Sequence, residues 1–123
     1  MEDRFLYAGY CHCSQCRQAS GSAFNTFAGV QQEALEVTSG RESISTYKKS
    51  EESVLSFCKV CGSNLFAVKI KGGLVHIRMG TLIDNPQIRP MAHFFVGSKA
   101  PGDEINDALP QFAERPPRNR YAK

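Results

Sequence analysis

NLFAVKIKGGLVHIRM, residues 64–79, is two alternating apolar runs joined through a glycine pair. The first run sets Phe66, Val68 and Ile70 on one face and Lys69 on the other; the second sets Val75, Ile77 and Met79 inward and His76 and Arg78 outward. Alternation with a period of two is the pattern of a half-buried strand, and Lys71-Gly72-Gly73 supplies the turn, so the segment predicts a β-hairpin. Working outward, "SVLSF" (residues 53–57) alternates with Leu55 and Phe57 on one face. "AHFFVG" (residues 92–97) is a short apolar run closed by glycine and predicts a buried strand, and "RESISTY" and "AFNTFAGV" are weaker strand candidates. Helix is expected for a turn or two after Cys16 in "RQASG", stopped by Gly21, with single turns near "QQEAL" and "DALPQF". The fold class is mainly β: antiparallel strands with little helix.

A chain of 123 residues, 41% hydrophobic and 22% charged, is the size and composition of one soluble domain. Residues 1–114 are expected to form it, with "RPPRNRYAK" (residues 115–123) as a disordered tail. The net charge of +3 is weak, and Arg115, Arg118, Arg120 and Lys123 place much of the basic character in that tail. Nucleic-acid binding needs a dense basic patch, so that partner is excluded. No run approaches the ~18 apolar residues of a membrane span, and "MEDRFLYAG" has neither the basic start nor the apolar stretch of a signal peptide. The expected compartment is the cytoplasm. There, five cysteines, an odd number, point to metal ligands or reactive thiols rather than a closed disulfide framework.

The cysteines fall in two groups. Cys11, Cys13 and Cys16 form CxCxxC, and Cys58 and Cys61, followed by Gly62, form CxxCG. A CxxC on a tight turn lets two thiolates converge on one tetrahedral ion, and a following glycine accepts the left-handed backbone of such a turn. Zinc is the expected metal. The CxxC pairs at Cys13/Cys16 and Cys58/Cys61 are separated by 41 residues. Two arrangements are open. A closed structural site would use Cys13, Cys16, Cys58 and Cys61 and leave Cys11 over; an open, catalytic-type site would use Cys11, Cys13 and Cys16 with a vacant fourth position. Spacing alone favours the closed one. His12, flanked by cysteines, is expected to point away; His76 reads as an exposed histidine on the hairpin's polar face; His93, before "FFVG", reads as a structural histidine.

Five stretches together carry a resemblance: "YCHCSQCRQASGSAFNTFAGV" (residues 10–30), "FCKVCGSNLF" (57–66), "GTLID" (80–84), "AHFFVGSKAP" (92–101) and "ALPQF" (108–112). In this order and spacing the chain resembles the glutathione-dependent formaldehyde-activating enzymes, which share a zinc domain with the centromere-protein-V type. The resemblance implies a mostly β, zinc-bound fold often described as a β-tent. It also implies carbon–sulfur lyase chemistry on S-hydroxymethylglutathione, the adduct of formaldehyde and the glutathione thiol. By the same resemblance Cys11, Cys13 and Cys16 are the open catalytic-type zinc site, and Cys58 and Cys61 are half of a separate structural one. The family's other half is a CxC ahead of the CxCxxC, and the ten residues before Cys11 hold no cysteine. Either the sequence starts late or the hairpin is lost. The expected consequences are recruitment of Cys13 and Cys16 by Cys58 and Cys61, and an exposed sheet edge favouring a homodimer. Gly102 stands where relatives commonly carry tryptophan.

The expected partner is a small-molecule thiol, with Arg17 and Lys99 as candidate cations for its carboxylates. Asp84 is a candidate acid or pocket wall, although an aspartate before Asn85-Pro86 is also a common turn residue. "GTLID" and "VGSKAP" would supply loop backbone groups. The rival to an enzyme is a non-catalytic zinc-stabilised binding module, and a third class is zinc storage or metal sensing.

Overall fold

The computed structural model describes residues 3–115. The tail expected over residues 115–123 lies outside them apart from Arg115. The hairpin of residues 64–79 is present. It consists of β5 (Asn64–Lys69) and β6 (Leu74–Arg78), in register with Phe66 opposite Ile77 and Val68 opposite Val75. Five further strands extend it: β1 (Tyr7–Cys11), β2 (Asn25–Gln31), β3 (Ile44–Ser50), β4 (Ser53–Cys58) and β7 (His93–Phe94). They form one sheet in the order β3-β4-β5-β6-β2-β1-β7. Every pairing is antiparallel except β1 with β7. The only α-helix among the described residues is α1 (Ser14–Ser20), ended by Gly21 at φ +66, and Gln32–Ala34 is a single 3-10 turn. The fold is mainly β.

Alternation places two apolar clusters on opposite faces of the sheet. On one, Val30, Val75 and Ile77 are buried with Phe66, Val68, Leu35 and Leu82 against them. On the other, Cys11, Cys16, Phe27, Ala92 and Phe94 pack with Tyr7, Cys13 and Phe112. Covering both faces corrects the sequence expectation for His76. It is half-buried rather than exposed, stacked on Phe27 with ring centroids 4.7 Å apart. Strand β6 is central, so the polar face of the hairpin faces protein rather than solvent alone. Ile70 departs in the other direction. It is 52% exposed because β5 ends at Lys69.

One element has no signal in the sequence, and another differs from its sequence reading. Strand β1, "YAGYC", has no apolar alternation, and its small residues serve close packing instead. A Cβ on Gly9 would lie 2.3 Å from the Phe94 ring, and one on Gly29 of β2, the cross-strand partner of Tyr7, 2.4 Å from the Tyr7 ring. "DALPQF" is not helical: Gln111 bridges His93, and Phe112 N donates to His93 O at 2.9 Å. Pro110 cannot donate to a helix ladder, and the segment lies along β7 as an extended chain. At the opposite edge, β3 carries Lys48, Lys49 and a register shift between Lys48 and Ser50, features that weigh against edge-to-edge pairing.

Candidate metal centre

Three structural devices bring Cys11, Cys13 and Cys16 together. Cys11 ends β1, locked between Asn25 of β2 and Phe94 of β7. Cys13 is the N-cap of α1, its sulfur accepting from Cys16 N at 3.3 Å. Cys16 lies in the first turn of that helix and is buried against the cluster of Phe27 and Phe94. The three sulfurs lie within 4.8 Å of one another, and this is the only group of its kind among the described residues. The spacing fits one ion seated between three soft donors. Negative charge collects on Cys13. Hydrogen bonds from the Cys11 thiol and then the Cys16 thiol hold its pKa far down, while the same contact with Cys13 pushes Cys11 up.

Cys58 and Cys61 stand apart, on the turn between β4 and β5. Gly62 N donates to Cys58 O at 2.7 Å and Gly62 takes φ +81, the left-handed geometry a glycine accepts without strain. The backbone N–H groups of Cys61 and Val60 point at the Cys58 sulfur and, with the Cys61 thiol, lower its pKa. Cys61 is exposed. Cys58 and Cys61 lie outside the cluster of three sulfurs, on a turn that meets the C-terminal end of α1, where Asn64 Nδ2 donates to Ala19 O at 2.5 Å.

His12 points away from the thiols, fully buried, and its Nε2 meets Nδ1 of His93 at 2.9 Å. His93 in turn donates from Nε2 to the two oxygens of Asp107 at 2.9 and 3.1 Å. Lys99 is committed to loop carbonyls, those of Ala100 and Asp103. Arg17 buries its Nε without a hydrogen-bond partner. Asp84 lies on an exposed bend, and a Cβ on Gly102 would meet open space.

The residues that sequence reasoning missed are the cations. Lys49, Lys69 and Arg78 are each half-buried on the cysteine face of the sheet, and their charges act on the triad. Burial and then Lys49 lower the Lys69 pKa, against the pull of Cys16 and Cys11. Among the described residues no carboxylate pairs with Lys69 or Arg78. Arg78 also lines a cleft of about 410 Å³ with Ser20, Asn25, Asn64, Gly62 and Gly80, and Asn25 is the cross-strand partner of Cys11. The cleft therefore borders the β1–β2 pair that carries Cys11. His76 remains neutral beside these charges. Burial, then Lys69 and Arg78, pull its pKa down to about 3, and Tyr7, raised to about 12 by burial, donates its hydroxyl to His76 Nε2 at 2.5 Å. Their sequence signal was the outward face of the hairpin, where Lys69, His76 and Arg78 alternate as a solvated face would.

No helix among the described residues is long and apolar enough to cross a membrane. No curated protein matches the chain. The family model described as glutathione-dependent formaldehyde-activating enzyme matches residues 1–98, and with this ordered set of thiols inside that span the chain belongs to the glutathione-dependent formaldehyde-activating enzyme family.

Proposed function

We propose that this protein is a zinc-dependent enzyme of the carbon–sulfur lyase type, acting in the cytoplasm on S-hydroxymethylglutathione or a related thiol adduct. The observation that carries this reading is the pairing of three convergent thiols with an unneutralised cationic wall on the same face of the sheet. Cys11, Cys13 and Cys16 would hold the zinc, since sulfur donors at this spacing suit that soft, tetrahedral ion. Zinc held by three thiolates supplies weak Lewis acidity and a fourth position suited to an incoming sulfur ligand.

The chain's own residues account for binding and orientation. Glutathione carries two carboxylates, and Arg78 in the cleft, with Lys69 and Lys49 beside it, would receive them by charge-assisted hydrogen bonds. Bound so, the glutathione thiol would extend toward the cysteine triad. In the adduct-forming direction the thiol sulfur attacks the aldehyde carbon, and the thiol proton ends on the former carbonyl oxygen. The reverse step breaks the same carbon–sulfur bond. Cys58 and Cys61 belong to the proposal as a two-thiol half-site, and residues 1–114 as its single domain.

The deciding experiment compares the zinc-loaded protein with its Cys13→Ser variant, following S-hydroxymethylglutathione formation by carbon-13 NMR. Faster adduct exchange in the parent alone supports an enzyme. Equal rates in both would leave the triad a structural knot and favour the binding-module reading.

A further inference from the structure

We propose that Asp107, His93 and His12 form a positioning chain that holds the cysteine loop in metal-binding geometry from the side opposite the thiols. The inference rests on the reading above that Cys11, Cys13 and Cys16 bind a metal.

The sheet ladder stops where the site begins. Cys11 pairs with Phe94, and His12 N donates to Phe94 O at 2.9 Å, after which the backbone leaves the sheet and turns into α1 at Cys13. Cys13 thus depends on something other than strand pairing for its place. The residue between the two cysteines supplies it. The His12 side chain is 0% exposed, and Nδ1 of His93, itself 4% exposed, takes up its Nε2. Phe24 packs on the His12 ring at 5.3 Å, and Tyr10 stacks on His93 at 4.7 Å, so neither imidazole can swing.

Only one set of tautomers satisfies the chain when both imidazoles are neutral. The Asp107 carboxylate accepts from Leu109 N at 3.0 Å and from His93 Nε2, which must therefore carry the proton. His93 Nδ1 is then an acceptor, and His12 Nε2 must donate to it. His12 Nδ1 is left as a buried lone pair without a hydrogen-bond partner, 3.9 Å from Asp103 Oδ2. A directional bond to a ring fixed by a carboxylate is how outer-shell groups orient metal-binding elements. Here the ring is not a ligand. It orients the backbone between two ligands.

Two substitutions at His93 separate this role from simple packing. In His93→Asn the amide oxygen falls near the position of Nδ1 and can still accept from His12, whereas the Asp107 link is lost. In His93→Gln the amide reaches the position of Nε2 and keeps Asp107, whereas the His12 link is lost. The full chain is loaded with cobalt(II). Its thiolate-to-cobalt absorption bands and the rate of metal release to a chelator are then recorded, with thermal unfolding of the metal-free proteins alongside. The Gln variant is expected to release cobalt roughly tenfold faster with altered bands, and the Asn variant within about twofold of the parent. Equal release from the two variants, or parent-like release from the Gln variant, overturns the positioning role while leaving the metal reading intact. A parent protein that shows no thiolate-to-cobalt bands overturns both. Should His93→Gln not fold, Asp107→Ala carries the test at an exposed position. It is expected to speed release, because without the carboxylate nothing fixes His93 in the tautomer that accepts at Nδ1, a constraint the amide oxygen of His93→Asn does not need. Asp107→Asn is expected to restore the parent rate, and no change in Asp107→Ala overturns the proposal.

Discussion

The Tyr7 hydroxyl reaches His76 Nε2 at 2.5 Å across 69 positions of sequence, with the tyrosine ring lying over Gly29. This contact ties β1 to the central strand β6 on the face that carries the cysteines. It works because β2 presents no side chain at Gly29, leaving a trough for the ring.

Gly29→Ala fills that trough. A Cβ at 2.4 Å from Tyr7 Cζ must displace the ring, an overpacking cost of about 1–3 kcal/mol. Tyr7→Phe keeps the ring and removes the donor, leaving His76 Nε2 unpaired at about 1–2 kcal/mol. Urea unfolding of the metal-free protein measures both. Unchanged midpoints would mean that the trough has no energetic role.

Acid should unfold the metal-free protein through its histidines. The folded pKa of His76 is about 3, against about 6.5 for a histidine in an unfolded chain. The unfolded state therefore binds the extra proton first. Stability is fully present above pH ~6.5 and falls as pH drops toward 3, at up to about 1.4 kcal/mol per pH unit. His12, also lowered by burial and by His93, adds in the same direction. His76→Gln should flatten the Tm-against-pH curve between pH 6.5 and 4, and a curve as steep as the parent's would count against this assignment.

The two cysteine groups should differ in metal content. Cys13→Ser breaks the only cluster of three thiols among the described residues, so zinc that the parent retains there under the proposed function should be lost. Cys61→Ser, on an exposed turn, should retain it. Elemental analysis after dialysis against a weak chelator reads the difference directly. Loss of zinc in both variants would instead argue for one shared site.

Arg78 should discriminate by charge. Arg78→Gln is expected to weaken glutathione binding about tenfold, the worth of one charge-assisted contact, while changing 2-mercaptoethanol binding less than twofold. Calorimetric titration of the zinc-loaded protein with each thiol separates the two. Equal weakening of both thiols would place Arg78 in the fold rather than at the substrate.

The sequence by itself determined the mainly β class, the hairpin of residues 64–79, the short helix ended by Gly21, and the thiols that can hold a metal. These signals are local. Period-two alternation, a glycine at a turn and close cysteine spacing each act within a few residues of backbone. Only the tertiary structure decided which sulfurs meet. Cys13 lies as near in sequence to Cys16 as Cys58 does to Cys61, yet it is Cys11, from the end of β1, that joins Cys13 and Cys16 in one cluster, and Cys58 and Cys61 stay outside it. It also decided the role of the hairpin's outer face. Lys69, His76 and Arg78 alternate as solvated residues do, and a second apolar cluster over that face leaves Lys69 and Arg78 a cationic wall beside the thiols, with His76 neutral between them. The parallel docking of β7 was equally hidden, because pairing between segments more than eighty positions apart leaves no period in either one.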